Sequence, residues 1–234
     1  GITLTKQSLL KLNDNFSTYL EVSNDSDPEL GALIASNTYS WPLSDTWQAS
    51  TSLAYSRSQF VEFAGDSHDV SFHQYQIIGQ IDKSLYQTNN KIFKAFSSIS
   101  LNHTSSYLNN ERIALVDGGG AQGSLRSGYL RSGINFAGRK NSIFWSGTLY
   151  GSQGLAGIST ASQISNFRAL GVDLGEARAI GGLVNLNWEI NSSITSNLLF
   201  TGQSALNPLP NSMRFSIGSD SGFKGLPGSL VSGD

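Results

Sequence analysis

QYQIIGQIDKSLYQTNNKIFKAFSSISLN, residues 74–102, is the stretch that decides the fold. Apolar and polar residues alternate along it on both sides of a short turn at Thr88–Asn90. The apolar set comprises Tyr75, Ile77, Gly79 and Ile81 before the turn, and Phe93, Ala95, Ile99 and Leu101 after it. A period of two residues is the pattern of a β-strand that is apolar on one face only. The stretch therefore predicts two long antiparallel strands joined as a hairpin.

The same alternation recurs along most of the chain. Further strands are predicted at 47–57, 130–136, 143–150, 184–190 and 194–203, and weaker patterns lie at 3–11, 16–24 and 30–41. Many of these runs extend over about 10–15 residues, whereas strands of soluble proteins centre on about 5–6. The prediction is an all-β fold of about ten to eleven long antiparallel strands.

Strand length and loop length together favour a membrane β-barrel. A tilted strand needs about 9–11 residues to cross a bilayer. Short turns at 88–90, 139–141 and 191–193 alternate with long connections at 107–125, 152–177 and 204–232. Outer-membrane barrels have short periplasmic turns on one rim and long surface loops on the other. The sequence thus predicts a transmembrane antiparallel β-barrel in a bacterial outer membrane, in contact with its lipid.

The polar faces resemble a water-filled lumen more than a soluble surface. They contain mostly Ser, Thr, Asn and Gln with a few charges: Asp82, Lys94, Arg131 and Glu189. Only 14% of the residues are charged, whereas soluble surfaces are rich in Lys and Glu. A net charge of −2 gives no reason to expect a nucleic-acid partner. A secreted β-sandwich or solenoid, acting as an adhesin or glycan-binding protein, also alternates in this way and stays open as an alternative.

No constellation in the sequence indicates catalysis. The chain has no cysteine, and the three histidines His68, His73 and His103 lack metal-ligand spacing, so we expect them in loops or along the lumen. Gly118–Gly120 does not lie between a strand and a helix, as a phosphate-binding loop would require. We expect neither enzymatic activity nor a cofactor nor a metal site.

The segment from Gly202 to Asp234 contains five short motifs in a fixed order. They read Gly202-Gln203, Asn207-Pro208-Leu209-Pro210, Phe215-Ser216-Ile217-Gly218-Ser219, Phe223-Lys224-Gly225-Leu226 and Ser232-Gly233-Asp234. This order resembles the end of the barrel in two-partner secretion transporters, the haemolysin-activator and filamentous-haemagglutinin transporter family, which belongs to the barrel-assembly superfamily. There a (D/N)PLP turn, an F-x-I/L-G-G strand, a V-R-G-F/Y loop tip and a G-D pair follow one another. The stretch WPLSDTWQASTSLAY, within 37–55, is similar to an early hairpin of the same barrels.

The resemblance implies a fold, a function and a set of loop residues. The family has sixteen-stranded barrels, so 1–234 would be a partial barrel, with POTRA domains before Gly1 and further strands after Asp234. Residues 206–232 would fold into the lumen as a loop whose tip is Phe223, Lys224, Gly225 and Leu226, framed by Asn207, Pro208, Leu209, Pro210, Phe215, Gly218, Gly233 and Asp234. The function implied is ATP-independent translocation of an adhesin- or haemolysin-type exoprotein, or alternatively outer-membrane protein assembly.

This chain departs from the family pattern at two positions of the loop. Lys224 stands where the family has arginine, and Ser219 replaces the second glycine of the pair. In the family the tip arginine pairs with an acidic residue on a later strand. Lysine supplies the charge but not the two-pronged guanidinium, so the resemblance implies a looser contact here.

Overall fold

The computed structural model describes residues 1–10, 12–24, 31–60, 70–113, 124–159, 175, 177–209, 215–217 and 231–233. Its strands are β1 (Ile2–Gln7), β2 (Asn15–Asn24), β3 (Gly31–Pro42), β4 (Trp47–Phe60), β5 (Val70–Thr88), β6 (Lys91–Leu108), β7 (Glu111–Arg112), β8 (Ser124–Lys140), β9 (Ile143–Gly154), β10 (Arg178–Asn191), β11 (Ile194–Ala205), β12 (Phe215–Ile217) and β13 (Val231–Gly233). One 3-10 turn, Ala156–Ile158, follows β9. Among the described residues, no helix is long and apolar enough to cross a membrane.

Eleven strands form one antiparallel sheet. The strands β1 to β6 pair in chain order, β6 then pairs with β8, and β8 to β11 continue in chain order. The short strand β7 pairs with the end of β6. In this sheet β1 and β11 are the two edges, so the described strands do not close on themselves. The short strands β12 and β13 form a separate antiparallel pair. The predicted all-β, antiparallel architecture is confirmed.

The strand boundaries agree with most of the sequence predictions. The hairpin within 37–55 is β3–β4, and the short turns fall at 89–90, 141–142 and 192–193. The predicted strand 3–11 is wrong at its end, because the chain leaves β1 after Gln7 and Ser8 has a φ of 51°. The small strand β7 was missed. It follows a two-residue turn, Asn109–Asn110, whose φ angles of 50° and 67° asparagine tolerates.

The two faces of the sheet are buried in the opposite sense to a soluble protein. On β6 the polar face is buried and the apolar face is exposed: Ser100 is 2% exposed, whereas its neighbour Ile99 is 49% exposed. Exposed apolar side chains occur on the corresponding positions of other strands, including Leu53, Ile77, Leu149 and Phe200. We call the apolar side the outward face and the polar side the inward face.

Aromatic side chains on the outward face lie over glycines of the neighbouring strand. A β-carbon at Gly147 would be 2.6 Å from Cζ of Phe136 and 2.7 Å from the carbonyl oxygen of Leu183. Gly151, on the same strand and the same face, has no atom within 4 Å of that position. Glycine at position 147 is therefore required by the packing of a ring and a backbone, whereas glycine at 151 is not.

Candidate functional site

The inward face of β8 to β10 presents an arginine held between aromatic rings. The guanidinium carbon of Arg131 lies 4.1 Å from the ring centroid of Tyr150 and 5.3 Å from that of Tyr129. Its Nε donates to the Ser152 hydroxyl at 3.1 Å. Cation–π contacts of this kind are strongest where water is partly excluded. Arg131 is thus a positive charge fixed in position on the inward wall.

Other inward side chains are polar and pair across neighbouring strands or along one strand. The Thr148 hydroxyl donates to Oδ1 of Asn135 at 2.7 Å, and the Gln80 amide donates to the Asp82 carboxylate at 3.0 Å. These contacts order a wall of neutral groups with isolated charges. Such a surface can exchange hydrogen bonds with water or with other polar groups.

Three buried polar atoms of the inward wall have no partner among the described residues: Oδ1 of Asn185 on β10 and two atoms on β6. The two on β6 are Oγ of Ser100 and Oδ1 of Asn102, whose residues are 2% and 4% exposed. An unsatisfied buried polar group costs about 1–3 kcal/mol. The middle of β6 is therefore the part of the wall where a further polar group would bind most favourably.

The chain turns back onto the inward face after β11. Leu209 is 1% exposed and packs in a cluster with Tyr129, Ala177 and Ala179, with Ala205 beside it. The residue just before the turn, Leu206, donates its amide to the carbonyl of Arg178 at 2.9 Å. Tyr129, Ala179 and Ala205 all lie on the inward side of their strands, so the leucine of the Asn207–Pro210 motif is anchored on that side.

The predicted loop residues are described only in part. Asn207, Pro208 and Leu209 belong to the anchored turn, and Phe215 and Gly233 are register partners in the β12–β13 pair. This places two of the framing motifs side by side. The remaining predicted residues lie outside the described part of the chain: Pro210, Gly218, Phe223, Lys224, Gly225, Leu226 and Asp234.

Two rows of side chains cross the outward face, one near each end of the strands. The row nearer the long connections, here called the upper row, consists of Arg57, His73, His103, Arg126, Gln153 and Arg178. The row nearer the short turns, the lower row, consists of Trp47, Lys83, Phe93, Phe136, Ile143 and Trp188. On each of the described strands β4–β6 and β8–β10, no outward residue between the rows is charged.

The spacing of the rows fits a bilayer. On every one of these strands the two row residues are ten positions apart, as Trp47 and Arg57 are, which is about 33 Å of strand. The residue paired with His73 is Ser105, so the row residue His103 lies two positions nearer the short turns than the level of His73. The residue paired with Gln153 is Leu130, so Gln153 lies four positions nearer the short turns than the level of Arg126. The other three steps along the row join direct register partners. The average of about 1.2 residues per pair corresponds to a strand tilt of about 40°. The band between the rows is then about 25 Å high, the value for outer-membrane barrels.

Aromatic rings mark both edges of this band. At the lower edge, Nζ of Lys83 lies 5.1 Å from the ring centroid of Trp47. At the upper edge, the rings of Tyr55 and Tyr75 lie 4.8 Å apart. Aromatic girdles at both interfaces are a property of membrane barrels. The outward face is therefore built to contact lipid.

The two described histidines correct a sequence prediction. We expected loop or lumen-lining positions, but His73 and His103 both lie in strands on the outward face, in the upper row. Strand parity could have located them, because His73 continues the series of Tyr75 and Ile77. His68 lies outside the described residues. Among the described residues, no cluster of His, Cys, Asp and Glu could hold a metal ion.

Comparison with known proteins agrees with this geometry. A family model for haemolysin secretion/activation protein ShlB/FhaC/HecB matches residues 1–234. The fold is similar to that of CdiB from Escherichia coli, with a TM-score of 0.80 and 12% identity over 96% of this chain. It is also similar to CdiB from Acinetobacter baumannii, with a TM-score of 0.78 and 15% identity over 99% of this chain. The chain spans 40% of the length of each of these solved chains. No curated protein gave a significant sequence match.

Proposed function

The chain belongs to the haemolysin secretion/activation family ShlB/FhaC/HecB, an outer-membrane β-barrel family, and from this membership we propose that it forms part of the wall of a protein-translocating pore. The substrate would be a large secreted exoprotein, of adhesin or haemolysin type, that crosses from the periplasm to the cell surface. Transport would need no ATP, because folding of the substrate outside the cell would draw it forward.

The inward wall is the observation that supports a polypeptide as substrate. An unfolded chain exposes backbone amides and carbonyls along its whole length. Hydroxyl and amide side chains, such as Thr148 and Asn135, can exchange hydrogen bonds with those groups without selecting one sequence. Two of the inward charges are held by their own neighbours: Arg131 by two tyrosine rings and Ser152, and Asp82 by the Gln80 amide.

We further propose that residues 206–232 fold inside the barrel and regulate the path through it. The inward packing of Leu209 supports this, because it directs the start of the loop toward the lumen. The unpaired groups of Ser100 and Asn102 on the inward wall offer hydrogen bonds to a segment placed there. Lys224 at the proposed tip would then be a lumenal cation, more loosely held than the arginine usual in the family.

Secretion by cells that lack the intact protein tests the proposed function. Deleting its gene should remove one large exoprotein from the medium and leave the remaining outer-membrane proteins at normal levels. Complementation with the wild-type gene should restore that exoprotein. A general loss of outer-membrane proteins would instead favour the assembly function and would refute the secretion proposal.

The loop proposal is tested separately in the same cells. Lys224→Ala should lower secretion while heat-modifiable gel migration, which reports barrel folding, stays unchanged. Arg131→Gln, which removes a cation from the strand wall instead of from the loop, provides a comparison for the loss of the Lys224 charge. Wild-type secretion by the Lys224→Ala variant would mean that the tip cation has no part in transport.

A further inference from the structure

Acidic and basic side chains of the described strands are sorted between the two faces of the sheet. The strand carboxylates all lie on the inward face: Glu21, Asp82, Glu111 and Glu189. The charged residues of the outward face are all basic: Lys6, Arg57, Lys83, Lys91, Arg112, Arg126, Lys140 and Arg178. The two other described carboxylates, Asp14 and Asp45, lie in connections between strands. Water accepts both signs equally, so an outward face with one sign favours contact with a surface of opposite charge.

Two of these lysines stand close together at the short-turn ends of β6 and β8. Lys91 is the register partner of Gly138, and Lys140 is the next outward residue of β8. Such diagonal neighbours are about 7–8 Å apart. Both lysines are exposed, and neither ammonium group has a hydrogen-bond or ion-pair partner among the described residues. Like charges at this separation repel each other, so an anion bound between the two ammonium groups would stabilise the pair.

An indole ring lies beside the lysine pair. Trp145 on β9 is the register partner of Gly138, and its ring extends over that glycine. A β-carbon at position 138 would be 2.6 Å from Cε2 and 2.9 Å from Nε1 of the indole. The missing side chain of Gly138 therefore makes room for the ring on the strand that carries Lys140. The indole adds one N–H donor next to the two ammonium groups.

The three side chains lie at the lower edge of the apolar band. Lys91 is two residues past Phe93 of the lower row, and Lys140 is four residues past Phe136, both toward the short turns. All four tryptophans of the chain lie on the outward face in this half of the strands: Trp41, Trp47, Trp145 and Trp188. Indole rings prefer the level of the lipid headgroups. The short turns face the periplasm in outer-membrane barrels, so the lysine pair meets the phospholipid headgroups of the periplasmic leaflet.

Net charge selects the class of phospholipid. A zwitterionic headgroup has a cationic group of its own, which repels the two lysines, whereas an anionic headgroup has a net negative charge. Each basic residue beside an anionic membrane surface strengthens binding by a factor of about five. Among the described residues, no carboxylate lies on the outward face of β6, β8 or β9 to compete for the lysines.

We propose that Lys91, Lys140 and Trp145 bind the headgroup of one anionic phospholipid of the periplasmic leaflet, with its phosphate between the two ammonium groups and the indole beside it. The site would fix the depth at which β6, β8 and β9 sit in the membrane. The proposal concerns the outward face, so it is independent of what passes through the lumen.

Binding of phosphatidylglycerol to the intact, detergent-solubilised protein tests the proposal, with native mass spectrometry as the readout and phosphatidylcholine of the same acyl chains as the zwitterionic comparison. The wild-type protein should bind phosphatidylglycerol more tightly than phosphatidylcholine. Lys140→Gln should weaken binding of phosphatidylglycerol about fivefold, the contribution usual for one basic residue at an anionic surface. Arg139→Gln removes the same charge from the preceding residue, which faces inward, and should leave this binding unchanged.

A second pair of variants tests the geometry at constant charge. Gly138→Ala should weaken binding of phosphatidylglycerol, because the new β-carbon displaces the indole, whereas Gly151→Ala, an outward position with no atom within 4 Å of the β-carbon, should not. Three outcomes would overturn the proposal: equal binding of the two lipids by the wild-type protein, equal binding of phosphatidylglycerol by the Lys140 and Arg139 variants, and equal binding by the two glycine variants. If Lys140→Gln does not fold, as judged by heat-modifiable gel migration, Lys91→Gln provides the same test from β6.

Discussion

Arginine introduced at two adjacent positions of β5 should have very different effects on barrel stability. Ile77 faces outward and is 47% exposed in the isolated chain, between its register partners Leu53 and Leu101. Gln76 faces inward, between Ala54 and Asn102. The two substitutions differ only by one step along the strand, so each serves as the control for the other.

The expected magnitude follows from the depth of Ile77 in the apolar band. It lies four residues from His73 in the upper row, which is about 10 Å below the upper boundary at a tilt of about 40°, and close to the midplane of a band about 25 Å high. Arginine at the midplane of the lipid face costs about 2–4 kcal/mol. At about 1.4 kcal/mol per factor of ten, Ile77→Arg should lower the folding equilibrium constant about 30- to 1,000-fold. Gln76→Arg should change it little, because water reaches the lumen.

The measurement is urea-dependent folding of the intact protein into phospholipid vesicles, followed by heat-modifiable gel migration. In a soluble β-fold a half-exposed isoleucine on a surface would tolerate arginine within about 0.5 kcal/mol. Equal effects of the two substitutions, or a larger effect at Gln76, would therefore refute the assignment of the two faces.

Three further predictions concern the loop anchor, the glycine packing and the first turn. Leu209→Ala should destabilise the packing of the turn by about 2–5 kcal/mol, lower secretion and alter single-channel conductance. Leu206→Ala, at an exposed position, should have none of these effects. Equal conductance of the two variants would contradict the anchoring of the loop by Leu209. Gly147→Val should abolish or slow folding into vesicles, because its β-carbon would collide with a ring and a carbonyl, whereas Gly151→Val should fold normally. Burial raises the pKa of Asp14, but hydrogen bonds from two backbone amides of its turn outweigh burial and hold that pKa below its ordinary value of 3.8. The contribution of this carboxylate to stability is thus present above about pH 4 and is lost as the pH falls through the lowered pKa, so Asp14→Asn should remove the acid dependence of amide exchange in the turn.

Strand periodicity allowed most of the fold to be predicted, because each side of the wall meets a different solvent. Lipid requires apolar outward residues and water permits polar inward ones, so alternation is maintained over strands as long as β5, which has 19 residues. The ends of strands depend on local backbone choices instead. The positive φ of Ser8 ends β1, and serine gives no sequence signal for that conformation as glycine would.

The candidate site was less predictable from the sequence. The Asn207–Pro210 motif indicated a turn, but nothing in it indicated that Leu209 packs against Tyr129, a residue 80 positions earlier in the chain. The contact of Ile158 with Gly128 has the same origin, since the two residues meet only after β8 and β9 have paired. Contacts of this kind depend on register, which a single sequence determines only where turns are short.

Register also supplies the strongest argument that the sheet is a membrane wall. The four outward residues between the rows are uncharged on each of six strands, although charged residues such as Lys83, Lys91 and Lys140 lie on the same face nearer the short turns. A soluble sheet has no reason to exclude charge from a band that crosses all its strands, because water covers the whole face. A bilayer imposes such a band, and it also requires the band to drift in register as tilted strands cross it. Both the drift of the upper row and the height of about 25 Å that follows from it agree with an outer-membrane barrel.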